Sequence, residues 1–439
     1  MATRTYIASA ANIRHTATLV IGGTWLATET VTLTIDNVDV VITIGSLVTT
    51  AQVATTIGQA VNGTALTDTT AAVSPTIAQG GAQALGQFAG ITASVSSSTV
   101  TFTADVAGVP FTISAAEGST SGTINLTASA TAATGQGTFT NQDNWSGNTA
   151  PVDDDAIYLN SGAQNIFNGL SPAIQPASFT KTKAYSGNIG LPEVNVDDED
   201  KPYGEYRTKA LTFDDNSVTC TYNLEGGTGF GSRLCRLAAG AGQAVFNIYG
   251  QATPLVSGVP CVLLSGSHSD NVVNNLNGNV GIAFYASEAM TLATLRTGNG
   301  VNSQARSICG PSATLSSCDV ITAGGFVETR TAIDNVEMTG GVHEHHAGTI
   351  ADLDVFQDGT FIPRGAFTIT DFSSGSGGHF DKRHDLSVVT FTNKVLFYKG
   401  AKFSDPNGTC VFSAGYQFVG CREKDCDMDF GTNRSHTVT

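Results

Sequence analysis

The chain is poor in charge. Of its 439 residues, 13% are Asp, Glu, Lys or Arg, about half the usual share of a soluble domain. Together with 41% hydrophobic residues, this excludes disorder, which needs low hydrophobicity and dense charge. The Lys/Glu/Leu-rich amphipathic stretches of a helical bundle are missing. No apolar run nears the ~18 residues that cross a bilayer. Basic residues are scarce as well. There are 21 Lys and Arg against 37 Asp and Glu, a net charge of −16. Clustered phosphate contacts are therefore not expected, nor a nucleic-acid partner. Only two Trp and 8% aromatics argue against a long sugar-stacking groove. No basic start precedes an apolar stretch, so no secretory leader is expected. No G-x-S-x-G, P-loop, C-x-x-C or dinucleotide fingerprint occurs.

The eight cysteines (Cys220, Cys235, Cys261, Cys309, Cys318, Cys410, Cys421 and Cys426) all lie beyond residue 219. Their scatter points to free thiols in a protein made in the cytosol rather than to a disulfide scaffold. Cys309/Cys318 and Cys421/Cys426 are close enough in sequence to pair, and the second pair is expected to be buried structural thiols.

Glycine, by contrast, is abundant at 49 residues. The pattern is one of many short strands, a mostly β chain. Thr30 to Ile35 and Val38 to Ile44 alternate across the turn Asp36-Asn37 and predict a hairpin. A helix should follow, capped by Thr49 with Gln52 three residues on, its face formed by Val53, Ile57 and Val61, and ended by Asn62-Gly63. Strands near 93–104, 111–115 and 123–128 complete a small α+β unit, residues 17–134. Residues 1–16 form an N-terminal arm, and 135–204 a linker and entry segment with Trp145 and Pro151. Residues 205–439 carry strand-only units closed by Gly325, Gly341, Gly359 and Gly378, spaced 16, 18 and 19 residues. Such units are too short to fold alone and predict a parallel β-helix, a solenoid, with a β-sandwich as the alternative.

The chain resembles a group of bacteriophage-encoded virion proteins. The residues that carry the likeness include VIGGTW (20–25), VTLTID and VDVVITIG (31–45), VATTIGQAVN (53–62), VTFTADVAGVPFTIS (100–114), NW-x5-P (144–151), GNIGLPE (187–193), YGEYR (203–207), SDNVVN (269–274), TLATLRTG (291–298) and MDFGTN (428–433). They are patterns of strand and turn, not of chemistry. The resemblance implies a small N-terminal α+β domain followed by a β-helix, displayed on a virion made in the host cytoplasm. The expected function is non-enzymatic: head decoration or head fibre, with a tail fibre or tailspike adhesin as the alternative. The expected partners are a second and third copy of the chain, a major capsid or other virion protein bound through the N-terminal domain, and a host surface glycan, but no nucleic acid and no membrane.

Three constellations bear on chemistry. His343-Glu344-His345-His346 offers imidazoles to a transition metal, but not in H-E-x-x-H order. On a strand His343 and His345 face one way, Glu344 and His346 the other. An exposed polar row is expected, with no metal or other cofactor; His343, His345 and His346 are the candidate ligands if one binds. Asp197-Asp198-Glu199-Asp200 and Asp153-Asp154-Asp155 are read as solvated loops rather than Ca²⁺ sites. Asp352, Asp354, Asp371, Asp381 and Asp385 are the carboxylates available for glycoside chemistry, which needs a converging pair. Asp also favours turns, so no catalytic residue is assigned.

Overall fold

The computed structural model describes residues 2–74, 90–193, 207–213, 219–226, 233–250, 259–300 and 303–431. Thr30–Ile35 and Val38–Thr43 form the expected hairpin, with Thr30 opposite Thr43 and Leu33 opposite Val40. Val31, Leu33 and Ile35 are fully buried. Asp36 and Asn37 both take positive φ, 50° and 66°, the conformation a two-residue hairpin turn demands. Two antiparallel sheets result, each of four strands among the described residues. One carries Ile91–Ser96, Thr99–Ala104, Thr16–Gly23 and Gly122–Thr131; the other carries Ala72–Ser74, the hairpin and Ile113–Gly118.

The helix Thr50–Val61 packs against them. Thr49 caps it, with the reciprocal Gln52 contact in place, and Val53, Ile57 and Val61 are buried. Gly58 lets the helix close on the sheet, since a Cβ there would stand 2.5 Å from Val95. This core, centred on Trp25, Leu33, Ile57 and Phe102, forms one cluster. A second cluster runs from Tyr6 to Phe430.

The second core belongs to a parallel sheet of 24 strands among the described residues. It begins earlier than residue 205. Thr3–Thr5 lies parallel to Ala156–Leu159, which pairs with Ser178–Lys181, which pairs with Cys220–Leu224. Thr3–Thr5, within the expected N-terminal arm, is thus the first strand of this sheet. Asp155 explains why. Its carboxylate accepts from the Ala2 amide at 2.9 Å and from Arg4 Nε at 2.9 Å, a long-range tether invisible to local periodicity. Phe139 and Trp145, in the expected linker, are fully buried in the same core.

Pairing skips the sequence neighbour. One run joins Cys220–Leu224, Ala244–Ile248, Val272–Asn275 and Thr294–Thr297. An interleaved run joins Cys235–Ala238, Val262–Ser265, Asn279–Ile282 and Arg306–Cys309. From Ala313 the two runs meet in single bent strands, Ala313–Thr329 and Ile333–His345. The bends fall at the glycine pairs. Gly325 and Gly341 both have φ of 75°, and a Cβ on Gly341 would stand 2.6 Å from the Gly324 carbonyl carbon. Only glycine tolerates both conditions.

Parallel register stacks like on like. Val273, Leu295, Val320, Val336, Leu353 and Phe372 are successive partners, and all are fully buried. Phe361, Phe380 and Phe403 form another column. Their rings stack face to face, the Phe380–Phe403 centroids 5.0 Å apart and 5° from parallel. On the outward side, Asn223, Asn247 and Asn274 form an amide ladder with bonds of 3.1 and 3.0 Å.

Candidate functional sites

The histidine segment lies on the second half of Ile333–His345. The facing expected from strand geometry holds for His343, Glu344 and His345, but the inward side is core rather than solvent. His343 and His345 are both fully buried, which corrects the expected exposed polar row. His343 occupies the column position between Val327 and Phe361, and His345 packs edge-on against Phe367 at 4.5 Å. Outside, Glu344 pairs with Arg364 at 2.6 Å, and His346 stands 3.5 Å from Glu328, which also holds Arg330.

Thr329 connects the two buried rings. Its Oγ1 lies 2.8 Å from His343 Nε2 and 2.8 Å from His345 Nδ1, and His345 Nε2 lies 3.1 Å from the Gly348 carbonyl. The protons follow. A carbonyl only accepts, so His345 carries its proton on Nε2. Burial lowers the His345 pKa to about 4, so the ring is neutral near pH 7 and Nδ1 is a lone pair. Thr329 must therefore donate to it. The hydroxyl oxygen then accepts from His343 Nε2–H. The chain runs one way: His343 to Thr329 to His345 to Gly348. His343 Nδ1 is left as a buried lone pair without a partner, and burial, followed by the neighbouring His345, holds His343 well below its ordinary pKa. Among the described residues no three His, Cys, Asp or Glu side chains stand close enough to hold a metal ion.

The five candidate aspartates separate into two groups. Asp352 and Asp371 are register partners on the outward face, in a column that also contains Asp319 and Asn335. Asp354 follows two residues after Asp352, beside Glu337. Desolvation, then the charges of Asp354 and Asp371, raise the Asp352 pKa. Asp381 instead grips Arg383 through both oxygens at 2.8 and 2.6 Å, which lowers its pKa. Asp385 accepts from the Ser387 amide at 2.6 Å. Asp352, Asp354 and Asp371 are thus neighbours, while Asp381 and Asp385 are occupied elsewhere. Asp153 accepts from the Gln175 amide, and Asp155 is the buried tether of the first strand, not a solvated loop residue. The run 197–200 lies outside the described residues.

All eight thiols are free. Cys309 and Cys318 are buried, as are Cys220, Cys235, Cys261 and Cys410. Cys421 and Cys426, expected to be buried, are only half-buried, with their sulfurs 3.9 Å apart.

Two ionic centres escaped the sequence reading. Arg236 stands in the apolar run Leu234-Cys235-Arg236-Leu237 with its side chain 3% exposed. Its guanidinium donates to Glu288 at 2.8 Å, to Glu193 at 2.6 Å and to the Leu191 carbonyl at 3.0 Å. Burial opposes ionisation of Glu193, but Lys209 and Arg236 outweigh it and its pKa falls. The cluster borders a groove of about 680 Å³ lined by Thr208, Thr212, Ser265, Ser267 and Ser287 among others. The second centre is Lys382. It is fully buried, with Nζ donating to the Asp385 carbonyl at 2.7 Å and to Thr409 Oγ1 at 2.6 Å. A charged residue inside an apolar run was the available signal for Arg236. In DKRHD nothing distinguishes Lys382 from Arg383 and His384, which are exposed.

No family model, curated protein or solved structure matches the chain. Function therefore has to be argued from these sites and from the stack itself. No described helix is long and apolar enough to cross a membrane.

Proposed function

We propose that this is a non-enzymatic virion structural protein of a bacteriophage, whose parallel sheet is wound as a β-helix and displayed on the particle surface as a head decoration or head fibre. One observation carries the proposal: the parallel rows follow one another from Thr3 to Asp429 around a continuous apolar core. Pairing with the strand beyond the next requires the chain to come round between partners, as a coil does. A long stack of backbone ladders is stiff, which suits a projection. The sequence resemblance supports the same assignment. The separate antiparallel domain, with its own core, is the natural attachment module.

Three copies are proposed to assemble side by side, because among the described residues the last row ends in strands paired on one side only, and such edges call for a cap or a partner. Labelling of particles with an antibody against residues 303–431, imaged by electron microscopy, tests the location. Signal on the head is expected; absence from purified particles overturns the assignment. Crosslinking within particles tests the trimer, which a monomer-only band would exclude.

A receptor- or glycan-binding adhesin of the tail is the second reading. The hydroxyl-lined groove beside Arg236, Glu193 and Glu288 favours it, since saccharides are recognised by convergent polar groups. Glycan-array binding by the full chain, lost on Ser265→Trp, would support that reading.

A further inference from the structure

The last described turn of the chain holds two thiols in a setting unlike that of the other six. Cys421 follows the strand Gln417–Val419, and Cys426 precedes Asp427–Asp429, the last described strand of the sheet. Between them a single helical turn, Glu423–Asp425, is closed by the Arg422 amide on Asp425 Oδ2 at 2.9 Å and by the Cys426 amide on the Glu423 carbonyl at 3.0 Å. This turn brings the sulfurs to 3.9 Å. Both point at the strand beneath. Cys421 Sγ donates to the Phe397 carbonyl at 3.5 Å and Cys426 Sγ to the Tyr398 carbonyl at 3.3 Å, consecutive residues of Val389–Tyr398. The six other cysteines are buried in the core; these two are half-exposed and within reach of a small reagent.

We infer that Cys421 and Cys426 are a redox-sensitive modification site, a latent disulfide that staples the last described strand to the body of the sheet. The oxidant is a small-molecule disulfide of the glutathione class. Cys421 Sγ, as the thiolate, attacks one of its sulfurs, forming a mixed disulfide and releasing one small thiolate. Cys426 Sγ, its proton lost to solvent, then attacks Cys421 Sγ and releases the second. The protein pair is oxidised by two electrons, the reagent is reduced to two thiols, and the two protons end on them. Closing 3.9 Å to a bond of about 2 Å is within the reach of side-chain rotation. Burial, then the neighbouring Cys421, pushes the Cys426 thiol up. The link would join the two ends of an exposed turn beside the last described strand of the sheet. The inference stands apart from the proposed function and holds wherever the protein meets an oxidising medium.

The test uses the full chain, purified reduced and then incubated with mixtures of oxidised and reduced glutathione. Arg422 and Lys424 lie between the cysteines and are exposed, so trypsin cuts inside the turn. Peptide mass analysis without reductant should find the Cys421 and Cys426 peptides joined and the six other thiols free. In the nicked, oxidised chain the segment beyond Lys424 should stay attached through the Cys421–Cys426 bond, and reductant should release it. Cys421→Ser and Cys426→Ser should each abolish both effects. Glutathione adducts on both cysteines without the internal bond would overturn the proposal. A Cys309–Cys318 link in its place, or a bond between chains through Cys421 or Cys426, would overturn it equally.

Discussion

Acid should weaken this fold before its carboxylates begin to titrate, and the buried histidines set the size of the effect. His345 has an ordinary pKa of 6.5 and a folded value of about 4. The folded value is the lower one, so the unfolded chain takes up the proton first as pH falls. Stability is complete above pH 6.5 and declines through the window down to about 4. A difference of about 2.5 units at 1.36 kcal/mol per unit gives about 3 kcal/mol for this residue once pH falls below the window. His343 adds a loss of the same sign, since burial lowers it too. Among the described residues no charged group raises either ring, and His346 lowers His345 further. Glu328, Glu344, Arg330 and Arg364 all belong to the outward ion pairs. His379, half-buried and also lowered, adds a smaller term, and His379→Gln controls for it. The assay is the denaturant midpoint from pH 7.5 to 4.5, each variant being normalised to its own value at pH 7.5. The wild type should lose stability steadily below pH 6.5, and the double variant His343→Gln/His345→Gln should show a flatter profile. Equal slopes, or a His345 ring that titrates near 6.5 by NMR, would refute both the burial and the assigned protons.

Other expected outcomes are direct. Thr329→Val leaves His343 Nε2–H and His345 Nδ1 unpaired and should cost about 2–4 kcal/mol; Thr329→Ser keeps the hydroxyl and should recover most of that in the same melts. Phe380→Ala opens a cavity between two stacked rings, Phe361 and Phe403, and should cost about 4 kcal/mol by denaturant unfolding. Arg236→Met strands Glu288 and leaves Glu193 with Lys209 alone, and Lys382→Met removes the donor to the Asp385 carbonyl and Thr409. Each should cost about 3 kcal/mol or more, and a neutral result for either would show that its charges are solvated. Gly341→Ala forces a Cβ into positive φ beside Gly324 and should cost at least ~1 kcal/mol, read as a lower thermal midpoint.

The local elements were largely legible. The hairpin at 30–43 and the capped helix Thr50–Val61 rest on alternation, turn residues and a capping box, all of which act within a few residues. The parallel sheet showed in the spaced glycines because bends such as those at Gly325 and Gly341 take a positive φ that only glycine adopts freely. The sites were less legible. Strand geometry told which side His343 and His345 share, but not that this side is core. His343 stands between Val327 and Phe361, partners set by register some 16 to 18 residues away. Nor does sequence show that Asp155 reaches back to Ala2 and Arg4.

By itself the sequence determined that the chain is β-rich, that its glycines mark bends, and that a helix follows a hairpin. These depend on backbone preference and on short-range periodicity, which each segment carries alone. The tertiary structure alone decided that the N-terminal arm opens the parallel sheet, that two histidines are neutral core residues joined by a threonine, that Arg236 and Lys382 are buried, and that Cys421 and Cys426 meet at its end. Each of these rests on which rows stack together. That is set by burying one continuous apolar column across residues far apart in the chain, and no local pattern encodes it.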